Sequence, residues 1–203
     1  MAKAKTGDAR DERFFTQLLG DTQWAVYDFA RGVVGDAEAA RDIVQDVFVD
    51  TWRALTRHVE PFSGAAMSDT DIRRWLFHVA YCRAVSILRR RRMIAWEPLG
   101  DDDALEQDLA HEPEPLEDRV AEAEVLREAL LSLGPSDAAC LLLSAVHGYT
   151  SAEIAVIVDI SPDAAKKRLS RAKRRLRAAY LAQSAQSESA QPESAQSQER
   201  ARP

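Results

Sequence analysis

The chain has 203 residues, of which 46% are hydrophobic and 30% charged, a folded composition with room for one large domain or two small ones. Its formal net charge of −6 argues against a uniformly basic nucleic-acid binder. No apolar run reaches the roughly 20 residues of a membrane span, and the N-terminal MAKAKTGDARDERFF lacks the apolar core of a secretory signal, so a cytoplasmic protein without membrane insertion is expected.

The total hides a segregation of charge. Residues 1–96 sum to +2, residues 97–128 to −11, residues 129–180 to +4 and residues 181–203 to −1. Two mildly basic blocks therefore flank one acidic segment. The two cysteines, Cys82 and Cys140, form no CxxC or Cys/His set, so neither a metal site nor a disulfide framework is expected, and no cofactor is implied. Strand-like alternation is nearly absent and the chain reads as all-α.

Residues 1–13 are polar and expected to be disordered. From Phe14 the apolar residues Phe14, Phe15, Leu18, Leu19, Trp24, Tyr27, Ala30, Val33 and Val34 recur at helical spacing until Gly35-Asp36. Asp36 is a good N-cap for a helix with the stripe Ala40, Ile43, Val44, Val47, Thr51 and Leu55. Its other face carries Arg41, Asp42, Gln45, Asp46 and Asp50. Residues 59–70 read as a loop, with Thr70 as a cap for a helix from Asp71 to about Met93 that ends in Arg89–Arg92. Residues 97–120 are acidic and proline-containing, the best linker in the chain.

Beyond it, Val125, Leu126, Ala129, Leu130 and Leu133 mark a short amphipathic helix, and Ser136 is expected to cap the next one, which closes at Gly148. Thr150 and Glu153 form a capping box, with Tyr149 and Ile154 at the positions of a hydrophobic staple. Asp159-Ile160 makes the turn. Ser161-Pro162 starts a last helix, to about Leu181, that buries Ala165, Leu169, Ala172 and Leu176. Residues 182–203 repeat Ser, Ala, Gln and Glu and are expected to be disordered. The fold expected is two small helical domains, residues 14–96 and 121–181, joined by a flexible acidic linker.

Three features carry chemistry. Thr150–Arg177 follows the helix-turn-helix plan, whose second helix enters the DNA major groove. Lys166, Lys167, Ser170, Arg171 and Arg174 lie off its buried stripe, free to meet phosphates and base edges. The helix after residue 70 mixes Trp75, Phe77, His78 and Tyr81 with Arg73, Arg74 and Arg83, a combination that suits stacking on unpaired bases, although Trp75 and Phe77 equally suit a core. The third is the acidic face of Asp42, Asp46 and Asp50, which on spacing alone is a solvated surface before it is a docking surface. No catalytic constellation is present: the acidic run Asp101–Asp103 falls in the linker, and the four histidines are scattered.

GDAEAARDIVQDVFVDTWRAL (35–55), RRWLFHVAYCRAVSILRRRR (73–92) and LREALLSLGPSDAACLLLSAVHGYTSAEIAVIVDISPDAAKKRLSRAKRRL (126–176), in this order, resemble the extracytoplasmic-function (ECF) sigma factors of bacterial RNA polymerase. The resemblance implies a first domain, sigma domain 2, that docks on the polymerase β′ subunit through Asp42, Ile43, Val44, Gln45, Asp46 and Phe48. It implies −10 promoter contacts from Arg74, Trp75, His78, Tyr81, Arg83, Arg89 and Arg90. The second domain, sigma domain 4, would bind the −35 element through Ser161, Lys166, Lys167, Arg168, Ser170, Arg171 and Arg174, and would touch the β subunit. Promoter DNA, core polymerase and an anti-sigma factor are the partners the family implies, and no enzymatic activity is expected. Cys82 and Ser86 depart from the family's usual Asn and Asp, and Ser136-Asp137 from its usual Arg. A helix-turn-helix regulator acting without polymerase, or a protein–protein adaptor, stands as the alternative.

Overall fold

The structure is a computed structural model and describes residues 3–59, 61–62, 68–96 and 117–189. All regular structure among the described residues is helical. The helices are α1 (Lys3–Val34), α2 (Ala37–Thr56), α3 (Asp69–Trp96), α4 (Glu117–Leu131), α5 (Pro135–Ala145), α6 (Ser151–Ile157) and α7 (Pro162–Ser189).

Local chemistry accounts for most boundaries. Gly35 ends α1 at φ 78°, and its N–H donates to the Arg31 carbonyl at 2.8 Å. A side chain there would also collide with Leu131, whose Cδ2 lies 2.8 Å from the position a Cβ would take. Asp36 caps α2 by accepting the Ala39 N–H at 2.7 Å, as expected. Two caps differ from expectation. Ser68, not Thr70, caps α3: its hydroxyl accepts the Asp71 N–H at 3.1 Å and donates to the Asp71 carboxylate at 2.6 Å. Gly134, not Ser136, is the N-cap of α5, because Pro135 takes the first helical position and leaves Ser136 inside the first turn.

The ends of three elements also move. α1 begins at Lys3, so the stretch expected to be disordered is helical from Lys3 through residue 13; Ala, Lys and Arg, all good helix formers, make up about half of it. α4 begins at Glu117, inside the expected linker. α7 runs on to Ser189, past the expected end near Leu181, since Ala and Gln are good helix formers. The rest of the acidic linker, residues 97–116, and the tail from residue 190 lie outside the described residues.

Helices α1–α3 pack around Val26, Phe29, Ile43, Val47 and Leu76, all at or near zero exposure. Helices α4–α7 bury Leu143, Ile154 and Ile157, with a smaller cluster of Leu133, Ala138, Leu141 and Ala172 under α7. These two groups do not stand apart. One hydrophobic cluster runs from Phe29, Leu76, Phe77 and Ala80 into Cys140, Leu143, Ile154 and Ile157. Gly32 marks a close approach, with Leu142 Cδ1 2.7 Å from where its Cβ would be.

Candidate nucleic-acid interface

Helices α6 and α7 are fixed to each other by their caps. The Thr150 hydroxyl accepts the Glu153 N–H at 3.3 Å while the Glu153 carboxylate accepts the Thr150 N–H at 2.9 Å, the expected capping box. Asp159 turns the chain at φ 53°, a left-handed conformation that Asp tolerates better than most residues, and the Ile160 N–H closes the turn on the Ala155 carbonyl at 3.0 Å. Ser161 then caps α7 by accepting the Ala164 N–H at 3.2 Å. Ile154, Ala155, Ile157, Ala165 and Ala172 face inward, which leaves Ser161, Lys166, Lys167, Ser170, Arg171 and Arg174 exposed along one side of α7.

Arg168 does not join them. It is half-buried, with Nε 3.7 Å from Asp137 Oδ1, and Arg175 Nη1 donates to Asp137 Oδ2 at 3.1 Å. Asp137, only 15% exposed in its side chain, thus holds two cations of α7 away from its open face. The sequence signal was available, because Arg168 and Arg175 are seven residues apart and so share a helix flank beside the buried stripe.

The α3 residues divide in four ways. Trp75 is half-buried with its ring edge-on to Phe62, centroids 5.6 Å apart. Arg74 pairs with Asp71 one turn away, and Arg83 bridges to α2, paired with Asp50 and 3.4 Å from Asp46. Arg89 and Arg90 are exposed at the far end, and Arg91 reaches Asp36 at 3.2 Å. His78 and Tyr81 face the second group of helices. The Ile157 carbonyl lies 2.7 Å from His78 Nδ1, and since a carbonyl only accepts, that nitrogen carries the proton. The Tyr81 hydroxyl pairs with the Ser136 hydroxyl at 2.8 Å.

On α2, Asp42, Gln45 and Asp46 are exposed and Val44 is half-buried. Ile43 and Phe48 are not on this surface. They are 0% and 5% exposed and belong to the inward stripe with Val47; the Phe48 ring meets Phe15 edge-on at 6.2 Å. A docking face on α2 is therefore built on Asp42, Gln45 and Asp46 with half-buried Val44, and excludes Ile43 and Phe48.

His147 lies on no motif in the sequence and is central in the structure. Its ring sits 4.5 Å from Phe77 of α3 and 6.2 Å from Phe29 of α1, and its buried Nε2 has no hydrogen-bond partner. Burial pushes its pKa below the usual imidazole value of 6.5, with Asp28 of α1 partly opposing the shift. Arg73 of α3 and Tyr149 line the same cavity, about 70 Å³, beside it. Because the unfolded chain then binds a proton that the folded chain refuses, stability falls as pH drops below about 6.5. Thermal unfolding at pH 7.5 and 5.5 is expected to show a larger loss for the natural protein than for His147→Leu; equal losses would refute the assignment. The carboxylates with lowered pKa, such as Asp36 and Glu124, act only at more acidic pH.

Burial raises both thiols and pushes Cys140 up to about 11, which favours the less nucleophilic protonated form. Among the described residues no group of three or more His, Cys, Asp or Glu could hold a metal ion, and no helix is long and apolar enough to cross a membrane.

Comparison with known proteins agrees with this geometry. The family described as Sigma-70, region 4 matches residues 123–176, which cover most of α4, all of α5 and α6, and α7 through its basic face. The RNA polymerase sigma factor CnrH of Cupriavidus metallidurans is 29% identical over 183 residues, 87% of this chain and 90% of its own length. The ECF RNA polymerase sigma factor SigL of Mycobacterium tuberculosis is 28% identical over 180 residues, 87% of this chain and 94% of its own. In fold the chain is similar to the sigma factor RpoE of Bartonella quintana, solved with the anti-sigma factor NepR (TM-score 0.59, 21% identity, 82% of this chain and 96% of that one). It is also similar to CnrH in complex with the cytosolic domain of CnrY (TM-score 0.57, 22% identity, 88% and 95%). The chain is thus similar to RNA polymerase sigma factors over most of its length, with a match to Sigma-70, region 4 in its second half.

Proposed function

We propose that the chain is an alternative sigma factor, which binds core RNA polymerase and directs promoter-specific transcription initiation without catalytic activity of its own. The observation that carries this reading is the capped helix-turn-helix of α6 and α7, with its one-sided basic face, inside a chain whose similarity to named RNA polymerase sigma factors extends over 87% of its length. A regulator acting without polymerase would need only the second half; the likeness of the first half favours the sigma factor.

Residues 14–96 would form domain 2. Its exposed Asp42, Gln45 and Asp46, with Val44 beside them, would dock on the polymerase β′ subunit, and Trp75, His78, Tyr81, Arg89 and Arg90 would meet the −10 element. Residues 121–181 would form domain 4 and read the −35 element through Ser161, Lys166, Lys167, Ser170, Arg171 and Arg174, with the β subunit nearby. One solved neighbour, RpoE of Bartonella quintana, is a complex with the anti-sigma factor NepR, which supports an anti-sigma partner here as well. A cytoplasmic location follows from the polymerase.

Asp42 tests the docking face, because it is exposed and lies outside the Arg83 pairs. Asp42→Arg is expected to reduce co-purification with core polymerase at least tenfold while helical content stays unchanged. An undiminished yield would reject this face.

A further inference from the structure

Helix α7 carries its cations without counter-charges of its own. Between Asp163 and Glu188 it has lysines and arginines but no carboxylate. An anion comes from α5 instead. Pro135 opens that helix, so Asp137 falls in its first turn, where negative charge is favoured. The next residue, Ala138, and Leu141 pack with Ala172 of α7, which brings the Asp137 carboxylate to the flank of that helix. Arg168 and Arg175 start two turns apart on α7, roughly 10 Å along its axis, and converge on this one carboxylate. Arg168 Nε lies 3.7 Å from Oδ1 and Arg175 Nη1 donates to Oδ2 at 3.1 Å, so each oxygen serves one cation.

The two arginines differ in how freely they leave. The side chains of Asp137 and Arg168 are 15% and 28% exposed, and both act on the buried Cys140 thiol: burial raises it most, Arg168 lowers it and Asp137 raises it further. Arg175 is 64% exposed, yet it is drawn to the α5 flank. A carboxylate and a DNA phosphate accept from a guanidinium in the same way, so either is a natural partner for these side chains. Phosphate contacts give affinity for every sequence alike, while discrimination comes from base edges.

We propose that Asp137 is an internal surrogate for DNA phosphate, which withholds Arg168 and Arg175 from the DNA backbone and so keeps the sequence-independent affinity of α7 low. The inference rests on the sigma factor reading and names the residue that sets the ionic footprint of the same site. Asp137 is a positioning residue: it touches no DNA and acts through the two arginines. Lys166, Lys167, Arg171 and Arg174, on the open face, are left to meet the duplex.

The experiment measures binding of the full chain to a short fluorescent duplex of arbitrary sequence between about 50 and 200 mM salt. Asp137→Asn is expected to bind about fivefold tighter or more at the lower salt, and to steepen the plot of log K against log salt by about one to two units, at about 0.9 per phosphate gained. Asp137→Glu, which keeps the charge, is expected to stay close to the natural chain. Arg175→Gln is expected to leave the slope of the natural chain unchanged but to remove about one unit from that of Asp137→Asn. A purely structural role for Asp137 moves none of these slopes in that pattern.

Equal effects of Arg175→Gln in the two backgrounds would overturn the proposal, because the altered net charge would then explain the tighter binding. An unchanged slope in Asp137→Asn with its helical signal intact would overturn it as well. If Asp137→Asn loses that signal, Arg175→Gln in the natural chain decides: loss of a full unit of slope would place Arg175 on phosphate already and overturn the proposal, and an unchanged slope supports it. All of these outcomes leave the sigma factor reading intact as long as the natural chain supports transcription with core polymerase. If that transcription fails while the slopes behave as expected, the sigma factor reading is lost and the role of Asp137 stands for a DNA-binding helix outside a polymerase complex.

Discussion

Phe29→Ala is expected to destabilise the protein by about 3–5 kcal/mol, the range for removing a fully buried phenylalanine. The ring has zero exposure, meets Phe77 edge-on at 5.3 Å, and touches His147 from the second group of helices. Its loss therefore opens a cavity where α1, α3 and the α5–α6 turn converge, and the shape of its neighbours prevents collapse. At about 2–4 °C per kcal/mol for a chain of this size, the thermal midpoint should fall by about 10 °C. A loss below about 1 kcal/mol would mean that the two halves do not share this core in solution.

The second large effect is on promoter choice. Lys167 and Arg171 are exposed on α7 and have no ion-pair partner among the described residues, unlike Arg168 and Arg175, which Asp137 holds. If either reads a base edge, its replacement by alanine should cost the holoenzyme about 1–3 kcal/mol at the matching −35 position and relax specificity there. If it meets phosphate, affinity should fall uniformly across sequences and the salt dependence should lessen by about one unit of slope. Binding of reconstituted holoenzyme to promoters with single −35 changes, at two salt concentrations, separates the cases. Unaltered binding in both variants would show that α7 is not the reading helix.

Much of this fold is legible in the sequence because its helices are locally specified. The capping box Thr150/Glu153, the Ser161-Pro162 start and the Asp36 cap each sit at the residue that the spacing demands, and each makes the expected bond. The misses have physical causes. Ser136 and Thr70 are good capping residues, but Pro135 and Ser68 begin their helices earlier, and one backbone position decides which hydroxyl is used. Ile43 and Phe48 belong to a docking motif by resemblance, yet α2 has one buried stripe and both lie on it.

The long-range features were the least visible. No local pattern distinguishes a histidine at a helix end from one pressed between Phe29 and Phe77, since those rings come from residues more than 60 positions away in sequence. The same holds for the Tyr81–Ser136 pair and for the continuous core: amphipathicity shows that each helix group has an apolar face, not that the two faces meet. Charge was the more misleading guide. The overall −6 conceals a basic face on α7, because the carboxylates concentrate in residues 97–128 and Asp137 neutralises only one flank.

The most direct test of the proposed function is in vitro transcription of fragmented genomic DNA by bacterial core polymerase with and without this protein, followed by sequencing of transcript 5′ ends. The expected result is a defined set of start sites that depends on the added protein and shares two upstream motifs, centred near −10 and −35. A transcript profile identical to that of core polymerase alone, with the protein folded and present in excess, would contradict it.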